Sequence, residues 1–283
     1  PKIRLRQLVR AIKLTWASTF FSNARVYHES VGNRVEEEKM AVIVQQAIGL
    51  QHEETFYPSF SGVALSYNYY STEGILPEDG VIYTALGLGK TIVDGMNCLR
   101  FSPTYPERLP QFATTKDMLR NSQRAFYAID LANSRVMPEP GGEKGLIRLD
   151  LDDAERHGTL TSIASTYVAE NDRVYDGVGR EGTRIISFAP ILKHHRFPLP
   201  EIARYLLNLG SHGLNCPVEI EFAVKLSDDK SKPDDFYFLQ VRPMVKDAVF
   251  ETVSLDDVDR SRVIGKSDNA LGNMRLTAIS DIL

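Results

Sequence analysis

The stretch that most constrains this chain runs from Val218 to Met244, where VEIEFAVKL, a polar SDDKSKPDD connection and FYFLQVRPM follow one another. Both halves alternate with a period of two, the signature of strands with one buried face. In the first half Val218, Ile220, Phe222 and Val224 fall on one side, and Glu219, Glu221, Ala223 and Lys225 on the other. In the second, Tyr237, Leu239 and Val241 oppose Phe238, Gln240 and Arg242. Paired as a hairpin in matching register, the two strands would bring Glu219, Glu221, Gln240 and Arg242 onto one face.

That residue set outlines a phosphate and metal site. Magnesium on a nucleotide draws one or two oxygen ligands from the protein and keeps several waters, and Glu221 and Gln240 can supply those ligands. Arg242 offers a planar, permanently charged fork for a terminal phosphoryl group. Glu219 would reach toward the nucleotide sugar or a second ion. The plainer reading is a solvent-facing edge hairpin with ordinary charges.

The E-I-E-F and L-Q-V-R-P segments resemble the close of the nucleotide-binding region in the pyruvate phosphate dikinase and phosphoenolpyruvate synthase family. The resemblance implies an α+β, ATP-grasp-like lobe with a mixed or antiparallel sheet flanked by helices. It further implies ATP and Mg2+ as ligands, metal roles for Glu221 and Gln240, a phosphate role for Arg242 and a supporting acidic role for Glu219. The family passes phosphate to a histidine on a separate domain, so the expected partners are ATP, an amino-terminal lobe carrying a lysine and a V-R-S-S arginine, and a phosphohistidine domain. None of those motifs occurs in this sequence.

Other segments carry weaker likenesses. Residues 3–30 read as a long amphipathic helix, with Trp16, Phe20 and Phe21 as core residues; its W-A-S-T-F-F resembles a family helix. MAVIVQQAI, residues 40–48, reads as a buried central strand resembling the family's V-V-V-Q strand, which would place Gln45 near the adenine. A glutamine that only satisfies backbone groups is the alternative there. SGVALSY, residues 61–67, reads as a strand with Gly62 at a close approach. VIYTALGLGKTIVDG ends like a P-loop, but Thr84 stands where the first glycine is required. It is closer to the family's A-x-G-L-G-E turn, in which Gly87 and Gly89 would precede a helix whose N–H groups face an anion. Lys90 stands in place of the family's acid.

Residues 100–142 read as a long surface excursion with one helix near 115–123. Residues 145–151 and 183–192 read as strands, 152–157 as a charged helical turn, and 199–212 as a helix ending at Gly210 or Gly213. His157, His194 and His195 read as surface or loop residues without metal spacing. The sequence divides into a partial nucleotide-binding region, 1–245, and a linker or the start of an adjoining segment, 246–283. Pro1 in place of methionine suggests a piece of a longer polypeptide.

A net charge of -4 without a basic run argues against nucleic acid, and no apolar run is long enough for a membrane span. Two distant cysteines, Cys98 and Cys216, fit a reducing cytoplasm. The expected function is a fragment of an ATP-dependent phosphotransferase, inactive or very weak by itself. The alternatives are a nucleotide-sensing or structural module without turnover, and an unrelated α+β domain with a chance hairpin.

Overall fold

The computed structural model describes residues 2–22, 24–26, 39–72, 74–132, 145–227, 229, 231–244 and 261. In chain order its strands are β1 (Leu50–His52), β2 (Thr55–Tyr57), β3 (Phe60–Leu65), β4 (Val81–Ala85), β5 (Leu99–Phe101), β6 (Ala125–Asp130), β7 (Leu146–Asp150), β8 (Ala164–Val168), β9 (Arg173–Asp176), β10 (Thr183–Ile186), β11 (Val218–Lys225) and β12 (Asp235–Pro243). The α-helices discussed below are α1 (Lys2–Ala17), α2 (Lys90–Val93), α3 (Thr115–Asn121), α4 (Leu151–Arg156), α5 (Ala189–Leu192) and α6 (Leu199–Leu214).

Every strand pairing is antiparallel, and the architecture is α+β. Among the described residues three sheets form, in the orders β12-β11-β3-β4-β5, β1-β2-β6-β7 and β10-β8-β9. In the five-stranded sheet β11 lies between β12 and β3, so both of its edges are paired. One face of this sheet presents Phe60, Ala64, Ile82, Phe101, Val218, Ile220 and Phe222, all buried, to Leu199, Ala203 and Leu207 of α6 and to Phe188. Burying a set of this size supplies most of the drive to hold the hairpin against the sheet.

Two glycines permit that packing. A Cβ on Gly62 would lie 2.1 Å from the Phe222 ring, so the absent side chain is where the phenylalanine sits. Gly210 is inside α6, where an added Cβ would come 3.1 Å from Val218 and 3.6 Å from Val241. The helix therefore runs through both Gly210 and Gly213 and ends at Asn215 in the left-handed region, not at either glycine. Gly210 acts as a contact point rather than a stop signal, which its sequence neighbourhood does not distinguish.

Several other expectations are corrected. The first helix ends at Ala17 and gives way to a 3-10 turn at Ser18–Phe20; residues 27–30 lie outside those described. Trp16 and Phe20 are 52% and 65% exposed, because among the described residues no surface covers that side of the helix. Residues 40–48 are not a strand, and Ile43 and Val44 stand exposed. The expected helix near 115–123 is α3, but the supposed surface excursion after Arg100 also contains the core strand β6, whose Phe126 and Ala128 are fully buried. In the sequence, prolines at 103, 106 and 110 precede that strand and prolines at 138 and 140 follow it, and this flanking hides the strand between them. The strand expected over 183–192 stops at Ile186, and Pro190 then sits in the first turn of α5.

His157 is likewise not a surface residue. It caps the C-terminal end of α4, its side chain is 4% exposed, its Nδ1 is 2.8 Å from the Tyr57 hydroxyl, and its ring stacks 5.2 Å from His52. The segment 246–283 lies outside the described residues apart from Ser261. No helix among the described residues is long and apolar enough to cross a membrane.

Candidate functional site

The β11–β12 pairing sets Glu219 opposite Arg242 and Glu221 opposite Gln240. Directly opposed residues share a sheet face, so the four side chains stand on the face away from α6. Arg242 grips Glu219 with both arms of its fork, Nε and Nη2 donating to Oε1 at 3.1 and 2.5 Å. That hydrogen bond, reinforced by the charges of Glu219 and then Glu221, holds the guanidinium even more firmly protonated than usual. The Arg242 side chain is 55% exposed, so the fork is anchored at one edge and open at the other.

Beyond this pair the register slips. Phe222 faces Phe238 and Ala223 faces Tyr237, which leaves Leu239 as the extra residue of a bulge. Past the bulge the alternation inverts: Tyr237, not Phe238, joins the acidic face, and Phe236 stacks on Phe222 at 5.2 Å. Gln45 donates its amide to the Leu239 carbonyl at 3.2 Å, so the 39–49 segment touches the hairpin at the bulge, one residue from Gln240. Gln45 thus satisfies a backbone carbonyl next to the site.

The ladder carries the row onward. Glu221 opposes Val63, Val63 opposes Tyr83, and Tyr83 opposes Arg100. The Arg100 guanidinium lies 5.9 Å from the Tyr83 ring and donates to Asn68 at 2.9 Å and to the Tyr70 carbonyl.

After β4 comes the Leu86–Gly89 turn, leading into the single helical turn of α2. Gly87 has φ +81, and a Cβ there would meet Phe126 and the Tyr127 carbonyl at 2.7 Å, so glycine is required twice over. Gly89 has ordinary helical φ at the N-cap of α2. Lys90 turns back to Asp94 at 2.9 Å and lies 5.2 Å over the Tyr127 ring, and its hydrogen bond holds the Asp94 carboxyl below the usual range. The Ser61 hydroxyl donates to the Gly87 carbonyl at 2.7 Å, joining the turn to β3. Sequence reasoning missed Ser61, although its alternation with Gly62 puts it on the acidic face; it missed Gln123 because no local pattern marks that residue.

The donor set suits magnesium. A carboxylate and a carboxamide oxygen on directly opposed residues start about 5 Å apart at Cβ, within reach of one ion bound at about 2 Å. Among the described residues no group of three or more His, Cys, Asp or Glu has metal-holding geometry. A magnesium ion that takes most of its ligands from phosphate and water needs only two from the protein.

Comparison with known proteins identifies one family, described as pyruvate phosphate dikinase, AMP/ATP-binding domain, matched over residues 3–257. The chain is also 26% identical over 247 residues to the phosphoenolpyruvate synthase of Aeropyrum pernix, a match covering 84% of this chain and 24% of that protein. It therefore spans about a quarter of the length of that relative.

Proposed function

This chain belongs to the pyruvate phosphate dikinase AMP/ATP-binding domain family, and on that premise we propose that it is an ATP-grasp-like lobe binding MgATP across the β11–β12 face. In the complete polypeptide it serves phosphoryl transfer of the phosphoenolpyruvate synthase type. The observation that carries this reading is the cross-strand register joining Glu219 to Arg242 and Glu221 to Gln240.

Each residue then has a role. Glu221 and Gln240 hold the ion; Mg2+, when bound, supplies charge neutralisation at the phosphates. Arg242 takes the terminal phosphoryl group on the open edge of its fork, and Glu219 orients that fork through its hydrogen bonds. Gln45 steadies the strand beside Gln240, and the Gly87–Gly89 turn lets backbone approach the phosphates. Residues 1–245 form this region and 246–283 lead toward the next one. An amino-terminal lobe and a phosphohistidine domain complete the machinery. Cys98 and Cys216, both free thiols, suit a reducing cytoplasm.

The test is phosphohistidine formation from MgATP by the complete polypeptide. Arg242→Ala should lower the rate by about three to five orders of magnitude. It should barely change the melting temperature, because exposed ion pairs contribute at most about 1 kcal/mol. Transfer at the wild-type rate would sink the assignment. One observation favours a second reading, a nucleotide-binding module without turnover: Lys90 is tied to Asp94 beside the glycine turn. Such a module would bind MgATP and label no histidine.

A further inference from the structure

The Leu86–Gly89 turn is held from several directions by groups outside the acidic quartet. β4 ends at Ala85, so the backbone of Leu86 has no ladder partner of its own. Gln123 takes that place: its Oε1 accepts from the Leu86 N–H at 2.8 Å, and its Nε2 donates to the carbonyls of Leu86 and Ala125 at 3.0 Å each. The carboxamide is 2% exposed, with both of its ends satisfied. Leu88 donates its N–H to the Tyr127 carbonyl at 3.0 Å, and Ser61, 4% exposed, ties down the Gly87 carbonyl. The turn is thereby pinned at three consecutive residues.

Ser61 also sets the turn's relation to the quartet. It opposes Ala223, which follows Glu221 by two positions on the same face, roughly 7 Å along the strand. An apolar residue at position 123 could fill the same space, but it would leave the Leu86 amide and carbonyl buried without partners and the turn free to shift.

We propose that Gln123 and Ser61 are positioning residues for the β- and γ-phosphates of the nucleotide, holding the glycine turn at a set distance from Glu221, Gln240 and Arg242. This rests on the reading that MgATP binds across this face. Its consequence is selective: ATP bridges the turn and the quartet, whereas AMP lacks the two phosphates that would do so. A rigid turn makes its contacts without being ordered on binding, so loosening it weakens ATP alone.

The experiment measures dissociation constants for MgATP and AMP by titration calorimetry on the complete polypeptide. Gln123→Met should raise the ATP constant about tenfold, or about 1.4 kcal/mol, and leave that of AMP within about twofold. Ser61→Ala, which removes a single hydroxyl, should move ATP the same way by about threefold and decides the matter alone if Gln123→Met does not fold. Equal weakening of both nucleotides, or wild-type ATP affinity in the folded variants, overturns the proposal. A wild-type protein that binds neither nucleotide removes the underlying reading and this proposal with it, a result visible before any substitution is made.

Discussion

Two apolar segments of this chain meet opposite fates. In β11, Val218, Ile220, Phe222 and Val224 are at most 2% exposed, whereas Leu5, Val9 and Trp16 of α1 and Ile43 and Val44 after it stand 42–88% exposed. Both segments carry β-branched or aromatic residues, and α1 carries them at helical spacing. The difference is the surface each meets. β11 has strands on both edges and α6 across its face, while the described contacts of α1 and the segment after it are short-range or slight, such as Trp16 to the Met40 carbonyl. An amphipathic pattern states that a segment needs a partner without saying where the partner is.

The comparison can be broken first at its strong end. Phe222→Ala removes a ring 1% exposed that fills the space over Gly62, and should cost about 3–5 kcal/mol in denaturant unfolding. A cost below about 1 kcal/mol would mean that the sheet face is not the cohesive core described.

Next in size is an alkaline effect in the neighbouring sheet. Burial pushes the Tyr57 hydroxyl up to about 12. A raised folded-state value favours the neutral phenol, so its contribution is intact below about pH 10 and is lost as pH rises toward about 12, by an order of 2 kcal/mol. Urea midpoints measured from pH 9 to 12 should fall over that window, and the fall should shrink in Tyr57→Phe.

Gly210→Leu should cost about 1–3 kcal/mol by forcing α6 away from Val218 and Val241. A variant as stable as the wild type would show that the helix and hairpin are loosely docked.

The smallest change is expected at the weak end. Trp16→Ala should alter the stability of this chain by less than about 0.5 kcal/mol. The same substitution in the complete polypeptide sharpens the contrast: a cost of core size there would identify a lobe that covers α1.

The legibility of the site follows the same division. The β11–β12 hairpin could be read because its alternation, its polar turn and its charged face agree with one another. The register uniting Glu221 with Gln240 follows from that alternation, but the bulge at Leu239, which moves Tyr237 rather than Phe238 onto the acidic face, does not. His157 looked like a surface residue because its burial comes from Tyr57, exactly one hundred positions away in numbering yet 2.8 Å away in space. The strand β6 was hidden by the prolines around it. Gln123 carried no signal at all, since its partner Leu86 lies 37 residues earlier.

The α+β class, the hairpin and the identities of the acids, amide and guanidinium on one face were legible in the order of residues. Those features depend on backbone periodicity and on residues close along the chain, where each local preference reinforces the next. Three-dimensional packing settled the rest: which apolar faces found cover, that Gly210 is a contact and not a helix stop, and that Gln123 completes the backbone of a distant turn. Each of those outcomes depends on which surfaces meet, and a surface has no address in the order of residues.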